Sequence, residues 1–144
     1  MITRFFRRQP EPPAVAVRVL LVCMGNICRS PLAEGVLRAR LAARATPAGE
    51  PLPVQVDSAG THGYHAGTPP DPRAQAAAAR RGIDISGLRA RQVTSEDLAA
   101  FDLVVAMDTD NLEALRGIAP PDHADKPRLL LEFAADEAAG RNVP

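Results

Sequence analysis

Short apolar runs alternate with longer amphipathic stretches along most of the chain. The run at 17–22 (Val-Arg-Val-Leu-Leu-Val) is almost entirely aliphatic and β-branched, which is typical of a strand buried on both faces of a parallel sheet. Further apolar runs predict three more strands, at 54–58, 102–107 and 128–131. Four short strands of this kind favour a parallel sheet covered on both faces.

Helical signals separate the predicted strands. They predict helices at 30–41, 72–82 and 108–117, and a short helix after the capping residues 94–97. We expect Ser30 to be the N-cap of the first helix, with Pro31 at its first position, and Asp71 to be the N-cap of the second. The alternation of strands and helices predicts an α/β, doubly wound domain.

The predicted elements begin at about residue 15. Residues 1–14 contain three prolines and three arginines without periodicity, so we expect a flexible basic, Pro-rich leader followed by one domain over 15–144. In doubly wound sheets, ligands bind beyond the carboxyl ends of the strands. Because the first strand leads directly into Cys23, we expect the functional site there.

Composition narrows the classes of function. The 17 Lys and Arg residues balance the 17 Asp and Glu residues, and the pI of about 6.8 gives no basic surface of the kind that general nucleic-acid binders need. No apolar stretch is long enough to span a membrane. We therefore expect neither nucleic acid nor a membrane span to be involved.

Cysteine usage excludes two further classes. Cys23 and Cys28 are the only cysteines in the chain and lie five residues apart, too close to connect distant parts of a fold. This excludes a disulfide scaffold and a four-cysteine zinc site, and the histidines lack metal-ligand spacing. We expect a cytoplasmic protein with reduced thiols that needs neither a metal nor a cofactor.

The segment 23–30 (Cys-Met-Gly-Asn-Ile-Cys-Arg-Ser) joins the first strand to its helix. A loop at this place can turn several backbone N–H groups inward, next to the positive end of the helix, and so bind a phosphate or another oxyanion. Gly25 and Asn26 are residue types that adopt a left-handed backbone easily. Arg29 can bind two phosphate oxygens with its planar guanidinium group.

The same loop places a thiol beneath the predicted anion site. Converging amides, a helix N-terminus, the Arg29 guanidinium and the Ser30 hydroxyl all favour the thiolate form of Cys23. A thiolate below a bound phosphate can attack phosphorus in line, and the amides and Arg29 can stabilise the equatorial oxygens. The alternative is that Cys23 is only a buried cysteine at a strand end and Arg29 only a surface residue. The complete motif 23–30, placed between a strand and a helix, favours the anion site.

The run 22–34 resembles the signature loop of the low-molecular-weight protein tyrosine phosphatases, and the resemblance extends from about Arg18 to the end of the chain. Further stretches agree with the family at 58–61, 70–74, 89–93 and 107–112. The resemblance implies a three-layer, flavodoxin-like phosphatase fold with a four-stranded parallel sheet. It also implies a hydrolase that removes phosphate from phosphotyrosine-bearing proteins through a phosphocysteine intermediate.

By matching position, the resemblance implies that Cys23 is the nucleophile and that Arg29 binds the phosphate. Ser30 would donate a hydrogen bond to the thiolate, while Asn26, linked to Ser30 and Ser58, would hold the loop. Cys28 would be a redox partner that forms a reversible disulfide with Cys23. The alternative for Cys28 is a small residue that only fills space in the loop.

The resemblance also implies residues that contact the substrate. Met24, Gly25 and Ile27 belong to the loop around the phosphate. Tyr64 and His65 fall where the family places a variable aromatic wall beside the cleft, and the position of Tyr64 in a long loop favours a substrate-facing ring over a core one.

The chain ends at 140–144 (Gly-Arg-Asn-Val-Pro), where the family's Asp-Pro loop with the general acid and a last helix are expected next. We therefore expect the domain to be C-terminally incomplete, with the general acid outside these residues. If the short form were the whole protein, turnover of aryl phosphates would be about 10²–10⁴-fold lower. An open apolar face would then favour an oligomer. Asp102 and Asp108 fit a strand start and a helix cap better than a substitute acid.

Three other functions compete with a tyrosine phosphatase. Thioredoxin-coupled arsenate reductases share the loop but need further cysteines after it, and the sequence has none. Protein-arginine phosphatases tend to have Thr where Ile27 stands, so Ile27 favours phosphotyrosine. A phosphate-binding or phosphocarrier module with little turnover is the third alternative, although related carriers lack the arginine that Arg29 supplies.

Overall fold

The computed structural model describes residues 17–144, so the predicted leader at 1–14 lies outside the described residues. Four strands form one parallel sheet with the order β2–β1–β3–β4. Their bounds are β1 (Val17–Cys23), β2 (Val54–Gly60), β3 (Leu103–Ala106) and β4 (Pro127–Leu129). This order is that of a doubly wound, flavodoxin-like sheet, so the predicted α/β fold is confirmed.

Helices connect each strand to the next within this part of the chain. The α-helices are α1 (Arg29–Ala42), α2 (Pro72–Ala79), α3 (Ser95–Ala100) and α4 (Thr109–Ile118), and single 3-10 turns cover Pro121–His123 and Leu130–Phe133. None of the helices described over 17–144 has the length and apolar character needed to cross a bilayer. The helices instead cover the two faces of the sheet.

Alternate residues of β1 supply two separate cores. Leu20 and Val22 pack on one face with residues of α3 and α4, among them Leu98 and Leu115. Val19, Leu21 and Cys23 face the opposite side, where α1 covers the sheet with Ala33, Leu37 and Leu41. Because side chains alternate along a strand, this register places Cys23 on the face covered by α1.

The start of α1 differs from the sequence prediction. Cys28 occupies the N-cap position and no side chain caps the helix, whereas Ser30 was expected to do so and instead lies fully buried in the first turn. The reason is that the Ser30 hydroxyl lies 3.0 Å from the Sγ of Cys23. Pro31 is tolerated at the third helical position because the first-turn N–H groups need no intrahelical acceptor.

Two other boundaries shift for backbone reasons. α2 ends at Ala79, three residues before the predicted end, and the chain turns through Gly82 with a φ of 73° while the Ile83 N–H donates to the Ala78 carbonyl. β4 ends at Leu129, because its partner β3 ends at Ala106, the residue paired with Leu129. The predicted strand residues 130–131 therefore lie in a 3-10 turn.

The other predicted helix caps, those of α2, α3 and α4, are confirmed. Asp71 accepts a hydrogen bond from the Arg73 N–H, and Asp108 accepts one from the Asn111 N–H at the start of α4. Thr94 and Asp97 form a complete capping box at α3. These local signals could be recognised in the sequence because each connects residues two or three positions apart.

A carboxylate pair clamps Arg91 beside the edge of β2. Its guanidinium group contacts Asp57 at 3.0 Å and Asp97 at 2.8 Å, and its carbonyl accepts a hydrogen bond from the Gly60 N–H. Burial alone would raise the pKa of Asp97, but hydrogen bonds from Arg91 and Thr94 lower it below its usual value overall. The segment containing Arg91 is thereby attached to the end of β2, next to the loop after β1.

We expect Asp97→Asn to lower the free energy of unfolding at pH 7 by about 1 kcal/mol, because the capping and ion-pair acceptor loses its charge. Since the folded pKa of Asp97 lies below the unfolded one, its contribution is complete above an unfolded pKa of about 3.9 and is lost as the pH falls through the folded pKa. Urea unfolding between pH 7 and pH 3 measures this. Glu96→Gln, in the same helical turn, is the control, and a difference from wild type that stays constant over this range would contradict the assignment.

Candidate active site

The loop between β1 and α1 contains a left-handed residue. Asn26 has a φ of 57° and is the one non-glycine residue among 17–144 with a positive φ. Gly25, which shared this expectation, lacks a positive φ, and its small size matters instead: a Cβ there would lie 3.0 Å from the His65 Cδ2 atom. The turn of the loop therefore depends on Asn26.

The side chain of Asn26 holds this turn through three hydrogen bonds, two of them buried and one partly buried. Its Nδ2 group donates to the hydroxyl of Ser30 at 2.8 Å and to the hydroxyl of Ser58 at 3.0 Å. Its Oδ1 atom accepts from the backbone N–H of Arg91 at 3.0 Å. The structure thus brings together three separate segments of the chain, namely the loop with Asn26 and Ser30, β2 with Ser58, and the segment with Arg91.

The carbonyl groups of the loop are used by neighbouring segments. The Cys23 carbonyl accepts a hydrogen bond from the Thr61 N–H, and the Met24 carbonyl accepts one from the His62 N–H. The Ile27 carbonyl accepts one from the Asp71 N–H, and all three distances are 2.8–2.9 Å. Gly60 permits this close approach, since a Cβ on it would lie 2.7 Å from the Met24 carbonyl oxygen. Because the carbonyls bond outward, the remaining N–H groups of the loop are left for another acceptor.

Six backbone N–H groups of the loop and first helical turn donate to no acceptor within 17–144. They belong to Met24, Gly25, Ile27, Cys28, Arg29 and Ser30. Free N–H groups next to the positive end of a helix form a site for an anion. The predicted cradle therefore has the required donors.

Cys23 lies at the base of this loop and is only 3% exposed. Its Sγ atom accepts a hydrogen bond from the Asn26 N–H at 3.3 Å and lies 3.0 Å from the Ser30 hydroxyl. The sulfur is therefore held between the buried polar groups of the loop.

Cys28 has a different environment. It is half-buried, and burial, the negative charge of Asp71 and the neighbouring Cys23 raise its pKa above the usual cysteine value, against the smaller opposing effects of Arg73 and Arg29. Cys28 therefore stays protonated at neutral pH. Both cysteines are free thiols in this structure.

The guanidinium group of Arg29 is fixed from one side. Its Nη1 atom lies 2.7 Å from the Asp108 carboxylate and donates to the Val143 carbonyl at 3.2 Å, while Nε and Nη2 donate to no acceptor within the described residues. Although burial raises it, the pKa of Asp108 is low overall because the Asn111 N–H and Arg29 donate to the carboxylate. Asp108 therefore stays ionised and orients Arg29, leaving two guanidinium donors free.

The rim of the loop is apolar and aromatic. Met24 is exposed, and the Tyr64 side chain is 82% exposed, so Tyr64 is no part of the core. The rings of Tyr64 and His62 stack with their centroids 5.2 Å apart. His62, expected to be an ordinary loop histidine, also ties this loop to Met24 through its backbone, so a rigid aromatic pair stands close to the cradle.

Three residues have a role at the site that was not predicted from the sequence. Asp108 was expected only as a helix cap, and Glu34 and Arg91 lay within recognised motifs without a role. Glu34 accepts a hydrogen bond from Ser58 at 2.6 Å, while Arg91 supplies an N–H to Asn26. Only the helical spacing of Glu34 and Arg38 signalled a polar contact in advance.

The model of one protein family matches residues 18–144, and its description is "Low molecular weight phosphotyrosine protein phosphatase". YfkJ of Bacillus subtilis, a low molecular weight protein-tyrosine-phosphatase, is 42% identical over 120 residues, which cover 83% of this chain and 74% of YfkJ. A phosphatase of the same name from Streptomyces coelicolor is 45% identical over 124 residues, 85% of this chain and 73% of its own length.

Solved structures agree with the sequence matches. The crystal structure of YfkJ superposes with a TM-score of 0.78 at 38% identity and covers 89% of this chain and 77% of YfkJ. Wzb of Vibrio vulnificus, crystallised in complex with benzylphosphonate, gives a TM-score of 0.68 at 32% identity over 81% of this chain and 75% of Wzb.

We expect Asp108→Asn to weaken binding of inorganic phosphate by about tenfold, because a charged hydrogen-bond partner of Arg29 is lost. Isothermal titration calorimetry measures the affinity. Since Asn is also a good N-cap, the free energy of unfolding should change by less than about 1 kcal/mol. The matched control is Asp110→Asn in the same helical turn, and equal affinities for both variants and wild type would contradict the role given to Asp108.

Proposed function

The chain belongs to the low molecular weight phosphotyrosine protein phosphatases, a family of cysteine-dependent phosphomonoesterases, and on that basis we propose that it hydrolyses phosphotyrosine in proteins through a phosphocysteine on Cys23. The observation that carries this proposal is the position of the Cys23 sulfur. It lies at the base of a loop whose six free N–H groups and Arg29 surround it with hydrogen-bond donors.

In the proposed first step, the cradle binds the phosphoryl group of the substrate. The free Nε and Nη2 groups of Arg29 bind two phosphate oxygens, and the loop N–H groups bind the equatorial oxygens. The exposed ring of Tyr64 and the side chains of Met24 and His65 contact the aryl group. Gly25 and Ile27 contribute backbone donors.

The chemistry proceeds in two displacements. The Cys23 thiolate attacks phosphorus, so an S–P bond forms while the bond from phosphorus to the phenolic oxygen breaks. Water then attacks phosphorus, the S–P bond breaks, and inorganic phosphate leaves with the thiolate restored. Asp108 is unsuited to protonate the phenolic oxygen because its carboxylate is ionised and paired with Arg29.

Loop support and substrate choice complete the proposal. Asn26, Ser30 and Ser58 keep the loop in its left-handed turn and hold Sγ in place. Ile27 gives the loop an apolar side chain, which favours an aryl phosphate over a phosphoramidate. The tyrosine named in the family's description and in those of YfkJ and the Streptomyces relative supports the same substrate class.

The proposal is tested by phosphate release from a phosphotyrosine peptide and from p-nitrophenyl phosphate, whose leaving group needs little protonation. We expect Cys23→Ser to lower kcat by about 10³-fold or more, and Arg29→Lys to lower kcat/KM by about 10²–10³-fold. Arg73→Lys, at an exposed arginine nearby, is the matched control and should retain the wild-type values.

Three results would contradict the proposal. A Cys23→Ser protein as active as wild type would show that Cys23 is not the nucleophile. Faster release from a phosphoarginine peptide than from the phosphotyrosine peptide would favour the alternative substrate. Binding of phosphate without turnover of either peptide would favour a binding module.

We also propose that Cys28 protects Cys23 against over-oxidation, in keeping with a reducing, cytoplasmic location. Hydrogen peroxide converts the Cys23 thiolate to a sulfenic acid with release of hydroxide, which takes up a proton to become water. The Cys28 sulfur then attacks the sulfenic sulfur, a disulfide forms and a second water leaves. The raised pKa of Cys28 keeps it protonated until its neighbour is oxidised.

We expect Cys28→Ser to make inactivation by peroxide irreversible, because oxidation of Cys23 then continues beyond the sulfenic acid. After peroxide treatment, wild type should regain most of its own initial activity with dithiothreitol, and the variant several-fold less. Intact-mass spectrometry distinguishes a disulfide from added oxygen atoms. If both proteins regain the same fraction of their initial activity, Cys28 does not protect Cys23 and is only a small residue that fills space in the loop.

A further inference from the structure

Glu34 is a buried carboxylate with no role in the steps above. It is 1% exposed, lies on the inner face of α1, and its Oε1 atom accepts the hydroxyl proton of Ser58 at 2.6 Å. Such a short distance is typical of a hydroxyl group that donates to an ionised carboxylate. The Oε2 atom lies 2.7 Å from Nη2 of Arg38, an ion pair without hydrogen-bond geometry, because that guanidinium donates to the Val56 carbonyl.

A continuous chain of hydrogen bonds connects this carboxylate to the sulfur of Cys23. It runs from Glu34 through Ser58, Asn26 and Ser30 to Sγ, with separations of 2.6–3.0 Å, and all five residues are buried. Each hydroxyl or amide in such a chain can point in either of two directions. The direction at the last contact decides whether Ser30 gives Sγ a proton or a lone pair.

Two groups of fixed character fix that direction. The Arg91 backbone N–H can only donate, so it selects the Oδ1 atom of Asn26 and turns Nδ2 toward both serines. At the other end, the Glu34 carboxylate can only accept, so it takes the proton of Ser58. Both serines then accept from Asn26, and the Ser30 proton is left for one of two acceptors. Sγ is the nearer at 3.0 Å, and the Ala59 carbonyl lies at 3.5 Å, the outer limit of a hydrogen bond.

We infer that Glu34 is a positioning residue that fixes the polarity of this hydrogen-bond chain so that Ser30 donates to the Cys23 thiolate. The inference rests on the proposed function, since it assigns a role to the thiolate. Glu34 does not touch the substrate. It lies 11 residues after Cys23 in the sequence and acts on it through Ser58, Asn26 and Ser30.

The competing arrangement explains why a carboxylate is needed. With the Asn26 amide reversed, Oδ1 would accept both serine protons and Ser30 would present a lone pair to Sγ, which disfavours a thiolate. Glu34 opposes this state because it competes for the Ser58 proton. A glutamine at this position can donate to Ser58 instead, which would push the Ser58 proton toward Asn26 and favour the reversed amide.

The direction in which Glu34→Gln shifts the formation of the Cys23 thiolate distinguishes this role from a simple effect of the Glu34 charge. The charged or titratable groups next to the chain are Arg38 beside Glu34, and Asp57 beside Ser58 with its ion-pair partner Arg91. Arg29, paired with Asp108, and Cys28 lie at the cysteine loop. Removal of the Glu34 charge in Glu34→Gln would, by Coulomb's law alone, make the thiolate of Cys23 easier to form. Loss of the hydrogen-bond direction makes it harder to form.

The experiment measures the alkylation of Cys23 by iodoacetamide against pH, with the Cys23 and Cys28 positions separated by peptide mass spectrometry. We expect Glu34→Gln to raise the midpoint for Cys23 by about one pH unit, the effect of one hydrogen bond to a charged group. Ser58→Ala interrupts the chain at its next member and should do the same. Glu113→Gln, which removes an exposed carboxylate on α4, should leave the midpoint unchanged.

A double variant tests the connection between the two residues. If Glu34 raises the midpoint only through Ser58, then Glu34→Gln should raise the midpoint of Ser58→Ala no further, whereas separate structural effects would add. Urea unfolding of each variant verifies the fold. If Glu34→Gln does not fold, the small substitution Ser58→Ala still carries the prediction of a raised midpoint.

The outcomes distinguish this inference from the proposed function. A midpoint for Glu34→Gln that falls or stays at the wild-type value, or additive effects in the double variant, would overturn the role of Glu34 alone. A wild-type midpoint at that of a free thiol, about 8.5, without protection by phosphate, would instead contradict the proposed function.

Discussion

The left-handed backbone of Asn26 is the constraint on which the site depends. A non-glycine residue in this conformation costs about 1–3 kcal/mol and needs compensation from its surroundings. The Asn26 side chain supplies this compensation by donating two buried hydrogen bonds to Ser30 and Ser58 and by accepting a third, partly buried one from the Arg91 N–H. With the loop turned in this way, its carbonyls bond outward to neighbouring segments, and its N–H groups are left free around the sulfur of Cys23.

The same interactions link the fold to the chemistry. Ser30 comes from α1, Ser58 from β2 and Arg91 from the segment clamped by Asp57 and Asp97, so the loop keeps its shape only when all three elements are packed. Asp108 adds a second connection, because the residue that caps α4 also orients Arg29. Stability and catalysis therefore share residues in this domain.

Much of this fold follows from local patterns. The β1 run, the Asp71 and Asp108 caps and the Thr94 capping box depend on neighbours within a few residues, and all appear as expected. The end of β4 was misplaced because it is set by the length of β3, far away in sequence. Ser30 was mistaken for a cap because its hydroxyl bonds to Cys23, a contact that local capping rules do not include. Glu34 and Arg91 were missed for a similar reason, since their roles arise between separate segments.

The most direct measurement is a crystal structure of the protein with tungstate, which resembles phosphate in shape and charge. The account predicts the anion above the Sγ of Cys23, bound by the N–H groups of the loop and by Nε and Nη2 of Arg29, with Nη1 still on Asp108. It would be contradicted by an anion bound elsewhere, or by a Cys23 sulfur that faces away from the loop with Arg29 turned to solvent.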